Sequence, residues 1–192
     1  MSLVPALLAG LLLAGCESQV RQDPLLVRGS ANATVYGFAP IYIDRPLAEN
    51  IANSLIFADY NVLINRAGLN QIFIGPKPYT VFAVTDPGFD QIPDIYRQRL
   101  LDPANQAGLR QLMAYTIVPG RYTLANLTDL ARRGAGRAGL RTLDGSILTI
   151  TLQPSGALTL SDPSGRVSQL VLADILQSNG ILYAGTTLLA PN

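Results

Sequence analysis

Near residue 142 the apolar residues of this chain stop recurring every three or four positions and begin to alternate. That switch of period limits the fold more than any other feature. Before it come helix-like stretches. Ala58 to Ala67 places Leu63, Ile64 and Ala67 on one side. Gly68 follows as a left-handed stop, with Leu69 free to pack back on the last turn. Pro46 is expected to start a helix at its first turn, and Pro93 to open another that contains Ile95, Tyr96 and Leu100. Asn105 caps a further one, where Leu109, Leu112 and Met113 repeat at helical spacing. After the switch, Thr142-Leu143-Asp144-Gly145-Ser146 reads as a hairpin turn, because Asp-Gly tolerates positive φ. Strands are expected at Ile147–Leu152, Leu158–Leu160 and Val167–Leu172, punctuated by Pro154-Ser155-Gly156 and Asp162-Pro163-Ser164-Gly165. Within the helical half, Tyr79–Val84 has the β-favouring residues of a buried strand. Helices crowd the first half and strands the second, which predicts an α+β fold and not a doubly wound parallel sheet.

Residue types that are missing narrow the chemistry. The chain has 192 residues, no His, no Trp and a single Cys, Cys16. Without His the commonest general base, metal ligand and pH switch are absent, so no catalytic residue, metal site or cofactor is expected. One thiol allows no disulfide within the chain, and the fold must rest on its core. That core is available, since 48% of residues are hydrophobic. Fourteen basic and thirteen acidic side chains are spread along the chain, which excludes a nucleic-acid partner that would need Lys and Arg on one face. Arg132-Arg133 reads as a solvated helix end.

Leu3 to Leu13 is an unbroken apolar run, too short to cross a bilayer as a stable helix but of signal-peptide length. It ends in Leu13-Ala14-Gly15-Cys16, which resembles a bacterial lipobox. The resemblance implies removal of the leading segment and acylation of Cys16, although Met1-Ser2 lacks the usual Lys or Arg. Residues 1–16 are therefore expected to be a signal peptide ending at the lipobox cysteine. Residues 17–33, with Asp23-Pro24, Gly29-Ser30 and Asn32, are expected to be a flexible tether, and residues 34–192 the folded domain.

Two boxes frame that domain. The first runs Tyr79-Thr80-Val81-Phe82-Ala83-Val84-Thr85-Asp86-Pro87-Gly88-Phe89. The second runs Ala173-Asp174-Ile175-Leu176-Gln177-Ser178-Asn179-Gly180-Ile181-Leu182-Tyr183 and continues into Leu188-Leu189-Ala190-Pro191. Between them stands Leu112-Met113-Ala114-Tyr115, followed by Val118-Pro119-Gly120. In this order they resemble the fasciclin family. The resemblance implies short helices packed on a β-sandwich or wedge of mostly antiparallel strands. It also implies adhesion as the function, with partner contacts at Tyr115 and at Asp174-Ile175. Thr80, Phe82, Thr85, Asp86, Asn179 and Gly180 match the family boxes. The chain departs from the pattern at Thr116 and Tyr183, where histidines are usual, and at Val84, where a proline is.

The same residues have a reading of their own. Thr80 and Thr85 are suited to satisfying backbone groups at the ends of a buried strand. Asn179-Gly180 reads as a hairpin turn at positive φ, Tyr115 as a core ring with its hydroxyl tied off, and Asp174 as a carboxylate needing a partner or water. Gly134-Ala135-Gly136-Arg137-Ala138-Gly139 has dinucleotide-loop spacing. It follows Leu124, Leu127 and Leu130 of a helix, however, so it reads as a mobile linker. The expectation is a cell-envelope protein attached to a membrane through its N-terminal lipid, binding a surface protein or polysaccharide. The alternative is a carrier holding a small apolar ligand or glycan between sheet and helices. Oligomeric state is left open.

Overall fold

Tyr79–Val84 is apolar at nearly every position, the pattern of a strand covered on both faces, and it forms the buried strand β3. The computed structural model describes residues 33–36 and 39–192, so Cys16, the apolar run before it and the stretch to residue 32 lie outside the described residues. In chain order the elements are β1 (Ala33–Tyr36), β2 (Ala39–Tyr42), α1 (Leu47–Asn53), α2 (Ala58–Arg66), a 3-10 turn (Asn70–Phe73) and β3. Then come α3 (Asp86–Phe89), α4 (Asp94–Leu101), α5 (Gln106–Tyr115), β4 (Ile117–Pro119) and α6 (Leu124–Arg133). Five strands close the order: β5 (Arg137–Arg141), β6 (Ile147–Leu152), β7 (Leu158–Ser161), β8 (Val167–Gln177) and β9 (Gly180–Gly185).

Seven strands form one sheet in the order β4-β3-β9-β8-β7-β6-β5. Every neighbouring pair is antiparallel except β3 with β9. The fold is α+β with a mostly antiparallel sheet, as its period switch predicts. The long strand β8 makes the sheet curl. It pairs with β7 through Val167–Gln169 and with β9 through Leu170–Gln177, and its register shifts between Leu170 and Leu172 and again between Leu172 and Ile175. Such bulges bend a strand and sharpen its twist.

Curling creates two cores on opposite faces of β3 and β9. On one, Val81, Ala83, Leu182 and Ala184 meet Leu47 and Ile51 of α1, Leu63 and Ile64 of α2, and Leu109 and Met113 of α5. On the other, Phe82, Ile181 and Tyr183 meet Leu148, Ile150 and Leu160 of β6 and β7, with Leu127 and Ala131 of α6 closing the end. No helix among the described residues lies over the opposite face of β5–β8. There the pairing aligns Arg137, Thr151, Thr159 and Gln169 in one cross-strand row, and Gly139, Thr149, Ser161 and Val167 in the next. Ile147, Val167 and Val171 on this face are 46%, 52% and 53% exposed.

Local expectations are corrected at four places. Pro46 stands just before the first turn of α1, not within it, while Pro93 opens α4 as expected. Asn105 precedes α5 without a side-chain cap, since its amide donates to the Arg99 carbonyl at 3.0 Å. Helix α4 contains Ile95, Tyr96 and Leu100 as expected; it buries none of its residues, and Ile95 and Tyr96 are 72% and 59% exposed. The glycine-rich stretch is a tight helix-to-strand joint and not a mobile linker. The Gly136 amide donates back to the Ala131 carbonyl at 2.8 Å, and β5 begins at Arg137. Finally, Asn179 and Gly180 are not among the positive-φ residues. Gly180 is required by crowding instead. A Cβ there would lie 2.2 Å from the Tyr79 carbonyl oxygen and 2.5 Å from Leu47 Cδ1.

Candidate functional site

Residues of the first box hold backbone ends. Thr80 Oγ1 donates to the Gly120 carbonyl at 2.9 Å and accepts from the Tyr122 amide at 2.9 Å, which locks the turn after β4. Thr85 Oγ1 reaches the Gly185 carbonyl at 3.4 Å, and the Thr85 amide donates to the same oxygen at 3.1 Å. Asp86 acts on a helix it does not belong to. Its carboxylate accepts from the Ala58 amide at 3.2 Å and the Asp59 amide at 3.0 Å, capping α2 where the helix dipole favours negative charge. Phe82 stacks on Tyr183 with ring centroids 5.1 Å apart.

Asn179 of the second box is a buried junction. Its Oδ1 accepts from the Leu47 amide at 2.9 Å, and its Nδ2 donates to the carbonyls of Phe73 (2.6 Å) and Gly75 (2.9 Å). Beside it Gln177 bonds Asn50, whose amide also pairs with the backbone of Tyr42. Arg121 donates to the carbonyls of Gln177 and Ser178 from outside. The β8–β9 turn, α1 and the 3-10 turn are thereby fastened into one unit, with the buried amides of Asn50, Gln177 and Asn179 all paired. Asn50, Gln177 and Arg121 were not singled out from the sequence. Nothing local marks them, because their partners are distant in the chain.

Two of the three residues on which the family resemblance places partner contacts lie in the core. Tyr115 is fully buried, with its hydroxyl donating to the Ile147 carbonyl at 3.0 Å. Ile175 is buried against the helices, in the other core. Neither side chain is presented at the surface. Asp174 is partly exposed and sits in the β8 bulge at φ 58°, a conformation that non-glycine residues seldom take. Its Oδ1 accepts from the amide of Leu124, the first residue of α6, at 3.1 Å. Tyr183, in the place of a usual histidine, donates to the Tyr122 carbonyl at 2.9 Å and approaches Asp174 Oδ1 at 3.5 Å. Burial first, then the Asp174 charge, push the Tyr183 hydroxyl well above the ordinary tyrosine range.

Among the described residues, two surfaces stand apart from these junctions. One is the uncovered face of β5–β8. The other is a groove of about 1000 Å³ between α4, α5 and residues 187–192, lined by Ile92, Tyr96, Leu100, Leu112 and Leu188 with Arg99 at its rim.

A curled antiparallel wedge, helices stacked against its parallel β3–β9 pair, and two boxes that fasten backbone to backbone define a fasciclin domain. The fasciclin domain model matches residues 57–191, and the chain belongs to that family. Helix α1 precedes the matched segment, yet its Leu47 and Ile51 are part of the same core. The chain is 26% identical over 148 residues to human Stabilin-1, covering 77% of this chain and 5% of Stabilin-1. It is 24% identical over 145 residues to Protein sll1483 of Synechocystis, covering 76% of this chain and 73% of that protein. Among solved structures it is similar in fold to the FAS1 domain pair of the insect cell adhesion molecule Fasciclin I. There the TM-score is 0.58 and the identity 12%, over 81% of this chain and 56% of that one. The chain thus spans a small fraction of Stabilin-1 and just over half of the Fasciclin I pair.

Proposed function

We propose that this chain is a lipid-anchored protein of a cell envelope, acylated at Cys16, whose fasciclin domain holds a surface or matrix partner in adhesion. The observation that supports binding over chemistry is the division of labour within the domain. The box residues are spent on the fold, while the face of β5–β8 lies open with Ile147, Val167 and Val171 on it. A fasciclin domain in the insect adhesion molecule lends the reading a precedent for fold, and the lipobox resemblance supplies the attachment. Two measurements test it. Chain extracted from its native membrane carries acyl groups at Cys16 by mass spectrometry. Full-length chain on beads retains a component of solubilised envelope or matrix. Beads that stay bare against every such fraction remove the adhesion reading.

A second reading rests on the groove beside α4. Its apolar walls and volume match a site for a small molecule. A carrier of a small apolar ligand or glycan would release a stoichiometric compound when protein from its native membrane is extracted. Clean extracts from several preparations would eliminate it.

A further inference from the structure

We propose that the open face of β5–β8 is a docking surface for an anionic polysaccharide, a proposal that rests on the binding-module reading above. The register sets the hydroxyls of Thr149 and Thr151 on β6 beside Ser161 and Thr159 on β7. Same-face residues lie about 6.7 Å apart along a strand and about 4.8 Å apart across strands, so these four hydroxyls form a flat grid. Gln153 Nε2 donates to Thr159 Oγ1 at 2.8 Å, while no side-chain hydrogen bond among the described residues engages Thr149, Thr151 or Ser161. Each hydroxyl both donates and accepts, as a sugar hydroxyl does, so the grid is matched to a chain of sugars.

Charge chooses among sugars. Arg137 and Arg141 stand on the same face of β5, the last strand of the sheet, about 13 Å apart along it. The ion pairs among the described residues involve Arg45, Arg97, Arg132 and Arg166, which leaves Arg137 and Arg141 without a carboxylate. The cross-strand rows they begin contain no Asp or Glu. A guanidinium binds a carboxylate or sulfate in bidentate fashion, and a polymer bearing such groups at intervals can meet both. Ile147 leans over Gly139 between them, where a Cβ would lie 2.8 Å from Ile147 Cγ2, so the two guanidinium groups flank an apolar step. The face has no aromatic anchor of the kind that dominates protein interfaces. It also lacks the dense cationic face and bulky apolar wedge by which surface helices enter lipid.

The test uses the full-length chain, its R137Q/R141Q variant and its T149V/T151V variant, each verified by circular dichroism and thermal unfolding. The probes are immobilised polygalacturonate, neutral dextran of similar length, and vesicles containing phosphatidylglycerol. The expected result is retention on polygalacturonate and not on dextran, weakening as salt rises. R137Q/R141Q should reduce that affinity by roughly tenfold or more, and T149V/T151V by a few-fold, without loss of fold. Absence of retention, or equal retention of the arginine variant, overturns the proposal, as does vesicle binding that alone depends on Arg137 and Arg141. If polygalacturonate fails while an envelope component is still captured, the chemistry assigned to the face is wrong and the binding-module reading stands. If nothing is captured, both fall.

Discussion

The hydroxyls of Tyr60 and Thr116 share a buried hydrogen bond of 2.7 Å, at the position where the family resemblance places a histidine. Thr116 Oγ1 donates onward to the Met113 carbonyl at 2.8 Å, so Tyr60 is the donor to Thr116. The pair ties α2 to the end of α5 inside the core. Thr116→Val should strand the Tyr60 hydroxyl and cost about 1–3 kcal/mol. Adding Tyr60→Phe removes the stranded donor, and the double variant should lose less than the sum of the single ones. Urea unfolding of the four proteins reads this. Strict additivity would show that the two hydroxyls are not coupled.

Alkaline pH should act through the same residue. Burial holds the Tyr60 hydroxyl neutral well above the ordinary tyrosine range, and burial followed by the charges of Asp162 and Asp144 pushes Tyr115 up to about 12. The unfolded chain ionises these groups first, near pH 10, so it then binds fewer protons than the folded chain. Stability is fully present below about pH 10 and falls as pH rises through the folded values. Tyr60→Phe should flatten part of that decline. An unchanged alkaline slope in the variant would contradict the assignment.

Asp162 should govern the acid side. Its buried carboxylate accepts from the Ser164 and Arg166 amides, the Ala190 amide, Ser164 Oγ and Arg166 Nε, linking the β7–β8 turn to the C-terminal segment. Burial alone would raise its pKa, but these hydrogen bonds and the Arg166 charge prevail and hold it below the usual value. The stabilisation is therefore present above about pH 4 and is lost as pH falls through the lowered folded value. Asp162→Ala should cost about 3 kcal/mol at neutral pH, because it leaves several donors and Arg166 without an acceptor. Chemical denaturation at pH 7 and pH 3 should show the difference between wild type and variant shrinking at the lower pH.

Two glycines, Gly180 at the start of β9 and Gly156 in the β6–β7 turn, should respond differently. Gly180→Ala must displace the Tyr79 carbonyl and Leu47, an overpacking cost of about 2–3 kcal/mol. Gly156 meets open space but has φ +86°, so Gly156→Ala should cost only about 1–2 kcal/mol of backbone strain. Thermal unfolding of both would check the order.

At Asp174 a backbone and a side chain oppose one another. Asp174→Ala loses the acceptor for the Leu124 amide and keeps the positive φ, whereas Asp174→Gly loses the acceptor but relieves the strain. Helix α6 keeps its Thr123–Asn126 capping box in both. The alanine variant should lose about 1 kcal/mol, and the glycine variant less. The reverse order in unfolding free energy would show that the bulge is not strained.

Much of the fold was legible because its signals are local. Asp144-Gly145, Ser155-Gly156 and Ser164-Gly165 are turns whose glycines take φ of 91°, 86° and 86°; the alternating stretches between them are β6 and β7, and β8 follows the third. Leu124, Leu127 and Leu130 followed by Gly134 gave α6 its bounds. The polar junctions were not legible. Asn179 meets Leu47 132 residues away, and Gln177 meets Asn50 127 residues away, so only the folded chain shows their partners. Helix α4 begins after Pro93 as read, but nothing local shows that Ile95 and Tyr96 stay exposed while Leu100 packs against the core. The hydroxyl grid was half visible. Thr149 and Thr151 alternate in the sequence, but that they stand beside Ser161 and Thr159 depends on the register.

The most direct test compares two disturbances in one envelope pull-down with full-length chain: T149V/T151V with R137Q/R141Q on the open face, and Asp174→Ala in the second box. With fold verified in each, the face variants should lose the captured partner while Asp174→Ala keeps it. Loss with Asp174→Ala and full capture by both face variants would contradict the assignment of binding to the β5–β8 face.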